Sequence, residues 1–277
     1  MQSNVPEHLA TFAALEHRGW QQVATEYGDH FAAVTSQSAG ALLDAAAAYA
    51  GTRLLDVACG PGQITAAAAE RGAIATGLDF SAVMVAEAAR RHPGVQFIKG
   101  DAQVLPFEPE TFDAVTIGFG LLHFPDADRA IADAFRVLKS GGRIAFSVWS
   151  TSDRAVGFQM LTDAVVAHGR TDVGLPDGPP VHRFSEPETC IHVLRTVGFV
   201  EPEVVEVPQT WRLDEAGALF DVLRRATVRA GALIRAQEPA ALKRISAAVR
   251  SAAEAYRDTD GRIRLPMHAM IASARKP

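Results

Sequence analysis

The sequence predicts an α/β protein built on a doubly wound, mostly parallel sheet with helices on both faces. Three observations predict it. Short, nearly continuous apolar runs alternate with amphipathic segments between residues 53 and 149, the pattern of strands buried on both faces and joined by helices. A tight Gly60-Pro61-Gly62 turn joins the first apolar run to a helix, as in ligand-binding strand–turn–helix units. Acids and glycines then close the later strands, at Asp79, Gly100-Asp101 and Gly118-Phe119-Gly120. Open α/β sheets bind ligands beyond the carboxyl ends of their strands, so these positions are the informative ones.

The elements follow in order. Residues 6–30 read as a helix, with Trp20, Val23, Ala24, Tyr27 and Phe31 at three- and four-residue steps along one stripe. That helix can pack on a core or act as a lid over a ligand, with Tyr27 at its end. Residues 41–49 form a second helix, ended by Gly51. Residues 53–57 are a strand and 63–71 a helix closed by Gly72. Residues 73–78 are a strand ending at Asp79, after which Ser81 can cap the helix 82–92. Arg90, Arg91 and His92 suit the negative end of that helix, and Pro93-Gly94 stops it. Residues 95–98 and 112–117 are strands, 125–138 a helix, and 143–149 a fifth strand.

Beyond Trp149 the rhythm changes. Residues 157–168 and 187–197 read as helices, 174–180 as an irregular loop, and 200–211 as containing a strand. Residues 214–235 and 239–256 read as helices, and 263–274 as the last strand. The helical excursion before that strand is long enough to cap the sheet edge.

Composition narrows the function. A hydrophobic fraction of 48% fits a globular core, and a net charge of −5 with no Lys/Arg run gives no electrostatic footprint for nucleic acid. Cys59 and Cys190 are too few for a disulfide framework and lack metal-ligand spacing, so no metal is expected. No run of 18 apolar residues predicts a membrane span, and the amino terminus lacks the basic-then-apolar pattern of a leader. A cytoplasmic protein is expected.

The strand ends carry the chemistry. The run Gly60-Pro61-Gly62-Gln63-Ile64-Thr65 lacks the third small residue of a dinucleotide fingerprint. Asp56 lies inside the first strand, four residues before Gly60. Asp79, 19 residues after Gly60, can accept hydrogen bonds from a ribose diol, in a nicotinamide or an adenosyl ligand alike. Asp101 can accept from an adenine amino group. The glycine-bearing loop after Phe112–Ile117 can bring a substrate to the cofactor, and His123 in that loop titrates in the range of a general base. His182 and Arg183, after the Pro-rich loop, are candidate substrate contacts.

Together, Leu54–Gly62, Gly77-Leu78-Asp79-Phe80-Ser81, Gly100-Asp101-Ala102, Phe112–Gly118 and Leu138-Lys139-Ser140-Gly141-Gly142-Arg143 resemble the motif series of the class I S-adenosylmethionine-dependent methyltransferases, in order and spacing, across residues 52–149. Gly118-Phe119-Gly120-Leu121 resembles the ubiquinone/menaquinone-biosynthesis C-methyltransferase branch. That branch usually continues Arg-Asn-Val; here Leu122-His123-Phe124 follows, which argues against a quinone-ring substrate. The resemblance implies a Rossmann-like, seven-stranded, mostly parallel sheet with an N-terminal helical lid and a helical cap inserted before the last strand. Residues 1–50 would be the lid and 51–150 the cofactor-binding core. Residues 151–277 would complete the sheet, at about 186–211 and 262–275, and supply the substrate cap, at about 154–180 and 214–257.

It also implies the cofactor, S-adenosyl-L-methionine, with S-adenosyl-L-homocysteine as product. The backbone of Ala58, Gly60 and Gly62 would hold its methionine portion, and Asp56 would support that loop. Asp79 would bind the ribose, with Phe80 and Met84 packing nearby. Asp101, Ala102 and Gln103 would read the adenine edge, Gly118 and Phe119 would line the sulfonium side, and Tyr27 would close over it. The expected activity is methyl transfer to an oxygen, nitrogen or carbon of a small molecule, with a homodimer compatible. The alternatives are a non-methyl reaction or simple binding on the same fold, and a nicotinamide-dependent oxidoreductase.

Overall fold

The computed structural model describes residues 7–277. Pro6, where the sequence begins the first helix, and residues 1–6 of the expected lid lie outside them. The chain runs through α1 (Glu7–Glu26), a π-helical turn at Tyr27–Phe31, α2 (Ala32–Thr35), a 3-10 turn at Ser36–Ser38 and α3 (Ala39–Ala45). Then come β1 (Arg53–Val57), α4 (Gln63–Glu70), β2 (Ile74–Asp79), α5 (Ala82–Arg91) and β3 (Gln96–Lys99). β4 (Phe112–Gly118), a 3-10 turn at Leu121–His123, α6 (Ala127–Val137), β5 (Leu138–Trp149) and α7 (Val156–His168) continue it. α8 (Pro187–Val197), β6 (Val200–Val207), β7 (Thr210–Leu213), α9 (Gly217–Ala226) and α10 (Arg229–Arg235) follow. α11 (Pro239–Glu254), β8 (Ile263–Pro266) and β9 (Ala269–Arg275) end it.

Two compact units result. The first takes Thr35–Ser150, Pro179–Val207 and Ala269–Pro277 and holds a seven-stranded sheet in the order β3-β2-β1-β4-β5-β9-β6. β9 is antiparallel to its neighbours β5 and β6, and the other pairs are parallel. This is the expected doubly wound α/β class. The winding reverses between β1 and β4, which sets the switch point at the ends of those two strands.

Alternation explains why the strands are largely apolar. Leu55, Val57, Val115, Ile117, Ile144 and Phe146 face a core built with α6 and α8. Their neighbours Leu54, Ala114 and Ala145 face the other core, under α3 and α4. Successive side chains point to opposite faces, so both sets must be apolar. Ser81 caps α5 by accepting from Met84 N–H at 3.3 Å, as its position predicts. Asp126 does the same for α6, accepting from Arg129 N–H at 2.9 Å.

The second unit takes the described residues up to Val34, Thr151–Gly178 and Pro208–His268. It holds α1, α7, α9, α10, α11 and the antiparallel pair β7–β8. The expected lid and cap segments thus share one unit, except that residues 35–50 and 179–180 go with the sheet. Leu42, Leu43 and Ala46 are the reason, since they pack in the core under α3.

Three expected elements are divided. The strand expected over 263–274 breaks at Met267-His268, after Pro266 has paired with Thr210 and Met267 N–H has bonded to Gln209 O at 2.9 Å. β8 then pairs with β7, and β9 enters the main sheet. Pro208 divides 200–211. The helix expected over 214–235 is interrupted at Thr227, whose backbone is extended and whose hydroxyl donates to Leu223 O at 2.6 Å and accepts from Gly231 N–H at 3.1 Å. Among the described residues, no helix is long and apolar enough to cross a membrane.

Candidate functional site

The site grows from the end of β1. Asp56 is 0% exposed, and its two carboxylate oxygens accept from Thr65 Oγ1 at 2.6 Å and Thr116 Oγ1 at 3.0 Å. One side chain thereby ties β1 to the first turn of α4 and to β4. Burial pushes Asp56 up to about 6 against the pull of those hydroxyls. The loop above it is tightly wound. Ala58 has a φ of 56°, in the left-handed region that costs a residue with a Cβ. Gly60 and Gly62 follow at 53° and 90°.

The two glycines do different work. A Cβ on Gly62 would come within 2.7 Å of Phe97 Cζ and 3.0 Å of His92 Cδ2, so packing excludes it. A Cβ on Gly60 would meet no atom within 4 Å. Gly60 therefore faces open space at the switch point, where a ligand can approach the main chain. Both N–H groups are already used, by Asp79 Oδ2 at 3.0 Å and Cys59 O at 3.0 Å. These glycines offer shape to a ligand, not donated hydrogen bonds.

Asp79 ends β2 and is 4% exposed. Besides Gly60 N–H, it accepts Ser81 N–H through Oδ1 at 2.9 Å. Each carboxylate oxygen keeps a further acceptor site. Burial raises Asp79 to about 6, opposed by the bonds from Ser81 and Gly60 and then by the charge of His123. The adjoining Cys59 thiol is pushed well above its usual range by burial, with Asp79 and Asp56 adding to it, so it is a packed and unreactive group.

The remaining predicted residues fall around this centre. Asp79 O accepts Gly100 N–H at 3.0 Å, which sets the neighbouring Asp101 beside the end of β2. Asp101 Oδ1 accepts from Gln103 N–H at 2.8 Å, and Gln103 Oε1 accepts from Asp126 N–H at 3.0 Å. Ala102 and Met84 are buried, and Phe80 lies between Asp79 and the cap Ser81. Phe119 follows β4 with a φ of 53°, and its N–H donates to Ser147 O at 3.0 Å. Its ring lies 4.3 Å from that of Trp149, tilted by 35°. A Cβ on Gly118 would come 2.2 Å from Ile64 Cδ1, so a side chain there would require the end of Ile64 to move. His123 sits half-buried in the 3-10 turn, within electrostatic reach of Asp79.

His182 and Arg183 are engaged locally. His182 Nδ1 lies 3.2 Å from Ser185 Oγ, and desolvation lowers its pKa. Arg183 makes two 2.8 Å bonds to Asp128, and its guanidinium stands 4.8 Å from the Phe184 ring centroid. Tyr27 begins the π-helical turn in the other unit, 5.2 Å from the Trp20 ring and 5.6 Å from Phe31. Sequence reasoning missed Thr65, Thr116 and Ser147. Their only signal was a polar residue on an otherwise apolar strand or helix face, which gains meaning once the partner is known.

A buried acid clasping a glycine turn, open space above it, and acids at the next two strand ends define a site able to hold an adenosyl ligand on a methyltransferase-type sheet. A family profile described as a methyltransferase domain matches residues 55–146. A demethylmenaquinone methyltransferase of Beutenbergia cavernae is 44% identical over 111 residues, covering 40% of this chain and 46% of that protein. The corresponding protein of Corynebacterium kroppenstedtii is 31% identical over 160 residues, covering 54% of this chain and 69% of its own length. The chain belongs to the class I S-adenosylmethionine-dependent methyltransferases, in the menaquinone/ubiquinone C-methyltransferase branch. It spans about half the length of the first curated relatives it matches. Leu122-His123-Phe124 therefore departs from the usual continuation within the branch. The YcgJ protein of Bacillus subtilis shares the fold, with a TM-score of 0.56 at 19% identity over 87% of this chain and 99% of that one.

Proposed function

We propose that the protein transfers a methyl group from S-adenosylmethionine to a small-molecule acceptor. The observation that carries this reading is the Asp79 carboxylate, buried at the switch point, clasping the turn at Gly60 while open space lies above that glycine. The curated relatives are named demethylmenaquinone methyltransferases, which supports a quinone-type small molecule as one candidate acceptor.

When bound, the cofactor supplies its methyl on a sulfonium, already activated for displacement. This chain's residues then have to bind, orient and exclude water. Asp79 accepts from the ribose hydroxyls through its remaining lone pairs. Asp101 and Ala102, with Gln103, meet the adenine edge. Asp56 fixes the turn through Thr65 and Thr116, and Ala58, Gly60 and Gly62 give it the shape to receive the methionine portion. Phe80 and Met84 flank the nucleoside, and Gly118 and Phe119 line the reacting side. His123 takes a proton from the acceptor where the nucleophile carries one. Tyr27 and the helices of the second unit serve as lid and cap. A cytoplasmic location fits this role, and the absence of any Lys/Arg run supports a small molecule over nucleic acid.

Calorimetry with S-adenosylmethionine, S-adenosylhomocysteine and NAD tests the reading. Binding of the first two and not the third is expected. Binding of NAD alone would overturn it in favour of an oxidoreductase. Tight S-adenosylmethionine binding without label transfer to any of a panel of phenol, amine and naphthoquinol acceptors would favour a non-methyl reaction.

A further inference from the structure

The carboxyl end of β5 carries a histidine that the cofactor site does not use. Residues 182–185 form a tight turn, closed by Ser185 N–H donating to His182 O at 3.1 Å. Three neighbours hold that turn. Phe184 is buried, with its ring 5.9 Å from that of Phe146 on β5. Arg183 reaches α6 through its two bonds to Asp128. Ser185 is 5% exposed, and its Oγ donates at 2.9 Å to the carbonyl of Trp149, the last residue of β5. The backbone of His182 is thus fixed, while the residue itself is open to solvent.

The same bonds decide where the imidazole proton sits. A carbonyl oxygen can only accept, so the single hydroxyl proton of Ser185 is committed to Trp149 O. His182 Nδ1 lies 3.2 Å from that hydroxyl oxygen and must therefore donate to it. A neutral ring that donates through Nδ1 carries its lone pair on Nε2. Desolvation lowers the His182 pKa, with no neighbouring charge adding to the shift, and so favours this neutral ring. The turn is pre-organised to present one acceptor atom, Nε2, in a known tautomer.

Its place in the fold gives that atom a use. Trp149, which anchors Ser185, also packs its ring 4.3 Å from Phe119, the residue read as lining the reacting side. His182, Trp149, Phe119 and the turn at Gly60 all belong to the unit that holds the seven-stranded sheet. Ligands meet such sheets beyond the carboxyl ends of the strands, and β5 ends beside β4. We propose that His182 is a binding residue for the methyl acceptor, its Nε2 accepting a hydrogen bond from an O–H or N–H of that molecule and orienting it at the end of β5. The inference rests on the methyl-transfer reading and adds to it the side chain that orients the acceptor. His123 keeps the task of taking a proton, and His182 fixes which donor-bearing edge of the acceptor faces the protein.

The test uses the full chain with isotopically labelled histidine nitrogens, saturated with S-adenosylhomocysteine, and phenol and anisole as probes. Nuclear magnetic resonance reads the ring nitrogens. His182→Asn identifies their signals, because it keeps a donor for Ser185 and deletes Nε2. The wild-type ring should carry its proton on Nδ1, and phenol should shift the Nε2 signal while anisole leaves it in place. Phenol should also bind about tenfold more tightly than anisole, the effect of one good hydrogen bond. His182→Asn should lose that preference while its affinity for S-adenosylhomocysteine stays within about threefold. A wild-type ring protonated on Nε2 alone, an Nε2 signal unmoved by phenol, or a phenol preference kept by His182→Asn would each overturn the proposal. If the wild type binds no S-adenosylhomocysteine, the methyl-transfer reading fails first and the acceptor role falls with it. If it binds that ligand and Nε2 does not respond to phenol, only the role of His182 fails.

Discussion

Asp79→Asn separates two tasks that one carboxylate performs. Asp79 accepts Gly60 N–H through Oδ2 at 3.0 Å and Ser81 N–H through Oδ1 at 2.9 Å. Asn keeps the size and one acceptor oxygen, but its NH2 group then faces a backbone donor. The loss is a mismatch of two donors, the NH2 against a backbone N–H, about 1–3 kcal/mol. Burial opposes this loss. It holds the Asp79 carboxyl at about 6 and not at 3.8 even with the Ser81 and Gly60 bonds in place, so the ionised form is disfavoured in the fold by a net of about 3 kcal/mol that Asn does not carry. The two effects nearly cancel, and the melting temperature at pH 8 should move by only a few degrees. Cofactor affinity has no such offset. Ribose hydroxyls that donate into a carboxylate lose its charge, which costs about 2–4 kcal/mol, or roughly 30- to 700-fold in Kd. Titration calorimetry with S-adenosylhomocysteine, paired with scanning calorimetry of both proteins, reads the two quantities separately. A folded variant whose Kd stays within threefold of the wild type would refute the ribose role. A loss of thermal stability beyond about 15 °C would refute the cancellation.

The two loop glycines should respond differently to alanine. Gly60→Ala costs about 1 kcal/mol for its left-handed backbone but meets no atom, so the fold survives and S-adenosylhomocysteine binding is lost to the methyl in the ligand's space. Gly62→Ala adds a clash with Phe97 at 2.7 Å and should cost about 2–4 kcal/mol of stability; equal melting shifts would contradict this division. Binding should also depend on pH. With Asp79 at about 6, affinity for S-adenosylhomocysteine falls toward tenfold per unit as pH drops below 6, and Asp79→Asn flattens that limb. Stability runs the other way. Asp56 and Asp79 hold protons more tightly folded than unfolded, so their stabilising contribution is full below about 3.8 and is lost as pH rises through about 6. Urea unfolding of the wild type and Asp79→Asn at pH 5 and 7.5 should therefore show the wild type gaining on the variant at the lower pH.

Much of the sheet was legible because a strand buried on both faces is apolar at most positions, and β1, β4 and the second half of β5 are, with Asp56, Thr116 and Ser147 as the polar exceptions. The divisions at Pro208, Pro266 and Thr227 were less so, since each depends on where the neighbouring strand or helix leads and not on local preference. The site shows the same contrast. Asp79 and Asp101 could be found because topology brings the carboxyl ends of parallel strands to one edge, whatever their separation in sequence. That Asp79 would spend two bonds on backbone N–H groups, and that Asp56 would find Thr116 60 residues away, follows only from the folded register. Arg183 makes the point from the other side: its charge was visible, but its partner Asp128 lies 55 residues earlier, on α6. Strain sharpens it further. Ala58 and Phe119, at the ends of the adjacent strands β1 and β4, both hold a left-handed backbone that their side chains disfavour. Neither residue type announces that conformation. It persists because Cys59 N–H is held by Leu78 O at 3.0 Å and Phe119 N–H by Ser147 O at 3.0 Å and Ser147 Oγ at 3.2 Å, so β2 and β5 fix the two loops from outside. The switch point is thus shaped by its neighbouring strands as much as by its own glycines, and a substitution at Ser147 should reach the Phe119 loop without touching any ligand.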